Sequence, residues 1–112
     1  MVLENYFDEL QSALTVMDTD GKILYLNEKA IITFQKYGGK SLIGKNIYDC
    51  HQETSNQKIH EMLATGGENV YTIEKDGVKK LIYQTPWKKD GVVMGLMEFS
   101  IVLPEKMPHF IR

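Results

Sequence analysis

Met17-Asp18-Thr19-Asp20-Gly21-Lys22-Ile23-Leu24-Tyr25-Leu26-Asn27 is the stretch whose reading decides the fold. An apolar strand from Leu14 runs into Asp18. Thr19 to Lys22 then supplies a turn, with Gly21 free to take a positive φ. Ile23 to Leu26 returns as a second strand, so the stretch predicts a β-hairpin. Strict alternation puts Leu24 and Leu26 on one face and Ile23 and Tyr25 on the other. A strand apolar on both faces is expected to be covered on both, once by the domain's own helices and once by an N-terminal helix or a partner subunit. Asn27 stands where an N-cap is needed for a helix over Glu28 to Tyr37. In that segment Ala30, Ile31, Phe34 and Tyr37 recur at helical spacing, and Gly38-Gly39 ends it.

Working outward, Asn5 to Ala13 predicts a short amphipathic helix. Asn5 is its cap, Asp8 and Glu9 lie in its first turn, and Phe7, Leu10 and Leu14 form its apolar stripe. On the other side, Ser41 to Ile43 predicts one turn before Gly44, and a loop follows from Asn46 to His51. Ser55 to Ala64 predicts a helix with Ile59, Met62 and Leu63 on its apolar face, closed by Gly66-Gly67. The remainder reads as strands. Asn69 to Lys75 and Val78 to Thr85 flank Asp76-Gly77, and Pro86-Trp87 closes the second of them. Asp90-Gly91 then introduces Val92 to Val102. Gly95 inside the last strand marks a bulge or a close approach of another group.

This order predicts an α+β fold: one five-stranded antiparallel sheet with helices packed on one face and a short N-terminal helix. The chain divides into that helix (1–13, a possible dimer contact), a central domain (14–103) and a C-terminal tail (104–112) running over the surface.

With 112 residues, 43% hydrophobic and 25% charged, the chain is long enough for one domain with its own core. The formal net charge of −2 and the scattered lysines, paired only as Lys79-Lys80 and Lys88-Lys89, argue against a nucleic-acid-binding face. Cys50 is the single cysteine, so no intrachain disulfide forms. The opening residues do not read as a secretory leader and no apolar run reaches membrane length, so the expectation is a cytoplasmic protein that does not engage membranes.

The ordered set of motifs resembles a PAS domain over about Leu14 to Val102. Met17 to Ala30 is similar to the family's opening: a strand ending in Asp, an Asp-Gly turn, a second strand and an Asn that starts a helix. Leu42-Ile43-Gly44-Lys45-Asn46 resembles its Gly-containing turn before the central helix. Asp76-Gly77, Pro86, Asp90-Gly91 and Gly95 match the later hairpins. The resemblance implies a bacterial sensory module that binds a small molecule between sheet and helices, pairs as a homodimer, or does both, and that passes a signal to an effector protein. A ligand-free dimerisation module is the alternative. No effector follows within these residues, so pairing with other chains and membership of a longer protein both stay open.

The candidate cavity residues are Phe34, Tyr37, Ile47, Cys50, His51, Ile59, Met62, Leu63, Tyr83, Trp87, Met97 and Phe99. The same set would equally serve as a filled core. Cys50-His51 is the sharpest local feature. It partly matches a PAS-like subset with Cys-His-Pro, but Gln52 replaces the proline. Zinc lacks ligands here, because only Cys50, His51, His60 and Asp49 lie close together in sequence. A haem would need His51 or His60 as its axial ligand. A flavin adduct would need Asn-Cys-Arg where Asp49-Cys50-His51 stands. No metal site is expected; no cofactor is predicted, with haem and flavin left open and a haem sensor through His51 or His60 kept as a lesser alternative. Adjacent residues on an extended chain point to opposite sides, so Cys50 and His51 do not form a nucleophile–base pair, and no phosphate-binding loop is present. The expectation is a binding protein, not an enzyme.

Overall fold

A computed structural model of the chain describes residues 4–49 and 53–112. The elements run α1 (Glu4–Phe7), β1 (Ala13–Asp18), β2 (Ile23–Leu26), α2 (Glu28–Thr33), three 3-10 turns (Gln35–Tyr37, Gly39–Leu42, Ile47–Asp49), α3 (Glu53–Thr65), β3 (Asn69–Lys75), β4 (Val78–Lys89) and β5 (Val92–Val102). The five strands form one sheet in the order β2-β1-β5-β4-β3, and every neighbouring pair is antiparallel. The expected α+β architecture is the observed one.

The opening hairpin is held locally. The Asp18 carboxylate accepts from the backbone N–H of Asp20 and of Lys22, each at 2.9 Å, and Gly21 takes φ +85°. Its strands depart from strict alternation. A register shift between Val16 and Met17 pairs Met17 with Ile23 and Thr15 with Leu26. Ile23 and Leu26 therefore both turn inward and are buried, while Leu24 is 43% exposed. Tyr25 lies on the outer face, where its hydroxyl donates to Asp8. The N-terminal segment is thus one of the two covers expected for β2.

Asn27 does more than cap α2. Its Oδ1 accepts from the N–H of Ala30 and of Leu14, each at 3.0 Å. Its Nδ2 donates to the carbonyls of Phe7 (3.0 Å) and Ser12 (2.9 Å). One buried amide thereby ties α2, β1 and the N-terminal segment together.

Three elements differ from expectation. The N-terminal helix is a single turn, because Ala13 already belongs to β1. The helix after Asn27 stops at Thr33 and tightens into a 3-10 turn. Ile31, Ile32 and Thr33 are consecutive β-branched residues with low helix propensity, and the Thr33 hydroxyl donates to the Lys29 carbonyl at 2.8 Å. β4 runs through Pro86 to Lys89. There it pairs with β5 alone, because β3 pairs only residues 78–84 of β4. Asp76-Gly77 and Asp90-Gly91 have positive φ at both positions, as two-residue hairpin turns of the I′ type require.

The core forms two clusters beneath the inner face of the sheet. Ala13, Ile23, Leu26, Ala30 and Leu42 make one, and Met17, Ile59, Met62 and Leu96 make the other. Ile47 packs against both. The tail from Pro104 to Arg112 carries no regular structure, and Phe110 and Ile111 are exposed.

Candidate functional site

A cavity of about 240 Å³ lies between the two clusters. The sheet contributes Thr15, Met17, Ile23, Gln84, Leu96, Met97 and Glu98; Phe34, Tyr37 and Leu42 wall it after β2, with Ile47 and Ile59 opposite. The break in the helix after Thr33 is what brings Phe34 and Tyr37 to this wall. Tyr37 is 66% exposed and marks the rim. At a water's ~30 Å³ share of liquid volume, the space matches about eight waters, the size of a small metabolite.

The wall is mostly apolar, with one polar stripe. Asn69, Gln84, Glu98 and Thr15 stand opposite one another in register on β3, β4, β5 and β1. Residues paired across antiparallel strands share a face, so all four belong to the inner side. Asn69 Nδ2 donates to Gln84 Oε1 at 2.9 Å, and Gln84 Nε2 donates to Glu98 Oε2 at 2.7 Å. The donors thus point one way along the row and end on the Glu98 carboxylate. Thr15, only 7% exposed, completes the row, and its hydroxyl has no hydrogen bond among the described residues. One pair further along, Tyr71 has its phenol raised above the ordinary tyrosine range by partial burial and then by the Glu98 charge.

A bracket of short contacts holds the cavity's far wall. Ile47 N–H donates to the Gly21 carbonyl at 2.7 Å, and Asn46 Nδ2 donates to the Asp20 carbonyl at 3.0 Å. The Tyr48 ring lies directly over Gly21, where a Cβ would come within 2.6 Å of it. Tyr48 also stacks on His60 of α3, with centroids 4.5 Å apart and planes 12° from parallel. Burial, followed by the charges of Asp20 and Asp18, raises its phenol pKa. The hairpin turn and α3 are therefore linked through Tyr48.

Of the residues proposed from sequence, Phe34, Tyr37, Ile47, Ile59 and Met97 meet at this cavity. Met62 and Leu63 pack in the adjoining cluster instead. Tyr83 and Phe99 are paired with each other, and Phe99 with Leu14, on the outer face; the Tyr83 hydroxyl donates to Glu68. Trp87 is committed to a hydrogen bond with the Met17 carbonyl. His60 is exposed and stacked on Tyr48, outside the cavity lining, because its neighbour Ile59 takes the inward position on α3. Cys50 and His51 lie outside the described residues. Among the described residues no group of three or more His, Cys, Asp or Glu is placed to hold a metal.

Thr15, Gln84 and Glu98 were not anticipated. The available signal was Glu98 itself, the one charged residue in an eleven-residue strand that is otherwise apolar apart from Gly95 and Ser100.

Comparison with known proteins followed the same lines. A family model described as the PAS fold matches residues 2–79. No curated protein matches. Among solved structures, a C-terminal domain from Streptococcus mutans superposes with a TM-score of 0.72 at 18% identity, covering 88% of this chain and 80% of that one. VqmA from Vibrio cholerae, solved as a complex with ligand and DNA, gives 0.70 at 20% identity, with 92% of this chain and 52% of VqmA covered. The chain thus spans about half the length of VqmA. A sensory box sensor histidine kinase from V. cholerae gives 0.62 at 20% identity, covering 91% and 90%. These likenesses are of fold.

Proposed function

This chain belongs to the PAS family of sensory and signalling domains, and we propose that it works by binding a small molecule in the cavity between sheet and helices. The observation that carries this reading is the cavity of about 240 Å³ itself. Interiors are normally close-packed, so a mostly apolar space of this size, open at the Tyr37 rim, offers an entering small molecule buried contacts. PAS sensor domains are typically non-catalytic, and the cavity offers a place to bind. The fold relatives fit such a role: VqmA was solved with a ligand and DNA, and the histidine kinase relative is named as a sensor. The output partner of this chain would be an effector of comparable kind. Haem through His60 has little support, since that ring stacks on Tyr48 at the surface.

The test is ligand capture. Native mass spectrometry of freshly purified protein should show an adduct that disappears in Ile59→Phe, whose larger ring grows into the cavity. Bare-chain mass, together with unchanged spectra when small apolar probes are added, would overturn the reading.

A second reading is a dimerisation module. It rests on exposed apolar side chains, among them Val70, Val92, Val102, Phe110 and Ile111. The N-terminal segment is a weaker candidate for the contact, because Asn27, Tyr25 and Glu28 all bond it to its own domain. A sedimentation profile that stays monomeric at high concentration would count against this reading.

A further inference from the structure

We propose that the cavity selects a small, mostly apolar amine, whose ammonium group is held by Glu98 and Thr15 on the sheet wall. This inference rests on the cavity being a ligand site and names the chemistry of its occupant.

The argument starts from the direction of the polar row. Asn69 donates to Gln84, and Gln84 donates to Glu98, so the amides are used up in orienting one carboxylate. Register fixing would explain such a ladder as far as Glu98 Oε2. It leaves the second oxygen, Glu98 Oε1, and the Thr15 hydroxyl without hydrogen bonds among the described residues, both on residues that line the cavity. Glu98 is the only charged residue among the described residues lining it. Glu98 is half-buried, so part of its carboxylate still faces the open side of the cavity. Here it has one neutral donor and no cationic side chain on the wall around it.

An occupant that supplies a positive N–H group meets the free oxygen with a charge-assisted bond, about twice as strong as a neutral one. The Thr15 hydroxyl accepts a second N–H. Met17, Leu96, Ile59 and Phe34 are left to receive the hydrocarbon part. An anion of the same shape would face Glu98 directly and be excluded. The volume limits the body to about one ring with a short arm.

Three probes of one shape test this: benzylamine, benzyl alcohol and benzoate, titrated into the full chain at fixed pH 7 and fixed ionic strength. Methyl chemical shifts of Ile59 and Leu96 report the site. Benzylamine is expected to bind about tenfold more tightly than benzyl alcohol, the scale of a hydrogen bond to a charged group, with benzoate weakest. Glu98→Gln should erase that preference and leave benzyl alcohol unchanged, while Thr15→Val should weaken benzylamine alone. If Glu98→Gln does not fold, the ranking on the native chain decides. Binding of benzyl alcohol at these methyls without preference for benzylamine, or a preference that survives Glu98→Gln, overturns this inference and leaves the cavity reading standing. Failure of all three probes to shift the methyls overturns both.

Discussion

The indole Nε1 of Trp87 donates to the main-chain carbonyl of Met17, 3.0 Å away, passing over Gly95, the residue of β5 that lies between them. Gly95 pairs with Trp87 on one side and with Asp18 on the other. The crossing is possible only because Gly95 has no side chain. A Cβ there would come within 1.9 Å of the Met17 carbonyl oxygen and 2.4 Å of the indole nitrogen. The bond thus clasps β1 to β4, which are not neighbours in the sheet.

Gly95→Ala is therefore expected to destabilise the domain by about 3 kcal/mol or more, the upper range for overpacking against rigid backbone. Trp87→Phe keeps a ring but removes the bond, with an expected loss of about 1 kcal/mol. Urea unfolding of the two variants checks both. A Gly95→Ala midpoint equal to that of the native chain would refute the clasp.

Asn27→Ala strips four hydrogen bonds from a buried site and leaves two N–H and two carbonyl groups there without this partner. A loss of about 3 kcal/mol or more is expected. Asn27→Asp keeps the acceptor for Ala30 and Leu14 but turns an oxygen toward the Phe7 and Ser12 carbonyls. It should also destabilise, and proteolysis should then cut the N-terminal segment ahead of β1. Equal protease resistance in the native chain and Asn27→Asp would show that the amide donors matter little.

Tyr25 has its phenol raised well above the ordinary range, first by burial, then by the hydrogen bond to Asp8, then by the charges of Asp8, Glu4 and Glu28. The folded state thus holds this proton more tightly than the unfolded chain. The associated stability is fully present below the unfolded tyrosine value of about 10 and is lost as pH climbs above it. Unfolding midpoints between about pH 8 and 11.5 should fall at the alkaline end, and less steeply in Tyr25→Phe. The slope will not vanish, because Tyr48, Tyr71 and Tyr83 are raised too. Identical slopes in the two proteins would contradict the assignment.

Gly21→Ala places a methyl against the Tyr48 ring and forces a side chain into φ +85°. Together these should cost about 2 kcal/mol. In the double variant with Tyr48→Ala the clash disappears and only the backbone part remains, so the two effects should be strongly non-additive. Additive losses in a double-mutant cycle would mean that the ring does not sit on the turn.

The amino-acid sequence by itself determined the parts whose physics is local. Asp18, Gly21 and Asn27 specify the opening hairpin and the helix after it within a dozen residues, because turn and cap hydrogen bonds close over short separations. Asp76-Gly77 and Asp90-Gly91 specify the later hairpins for the same reason. Gly95 was legible as a close approach, although not what approached it. Only the tertiary structure decided the rest. The inward turn of both Ile23 and Leu26 depends on a register shift against β1. The stripe from Asn69 through Gln84 and Glu98 to Thr15 joins residues up to 83 positions apart, counting from 98 back to 15. Trp87, Tyr83 and Phe99 resemble cavity residues in composition, but strand parity places Tyr83 and Phe99 on the outer face and a bond to Met17 claims Trp87. A void has no sequence pattern of its own: it is the volume left when helices and sheet, each satisfied locally, are brought together by contacts distant along the chain.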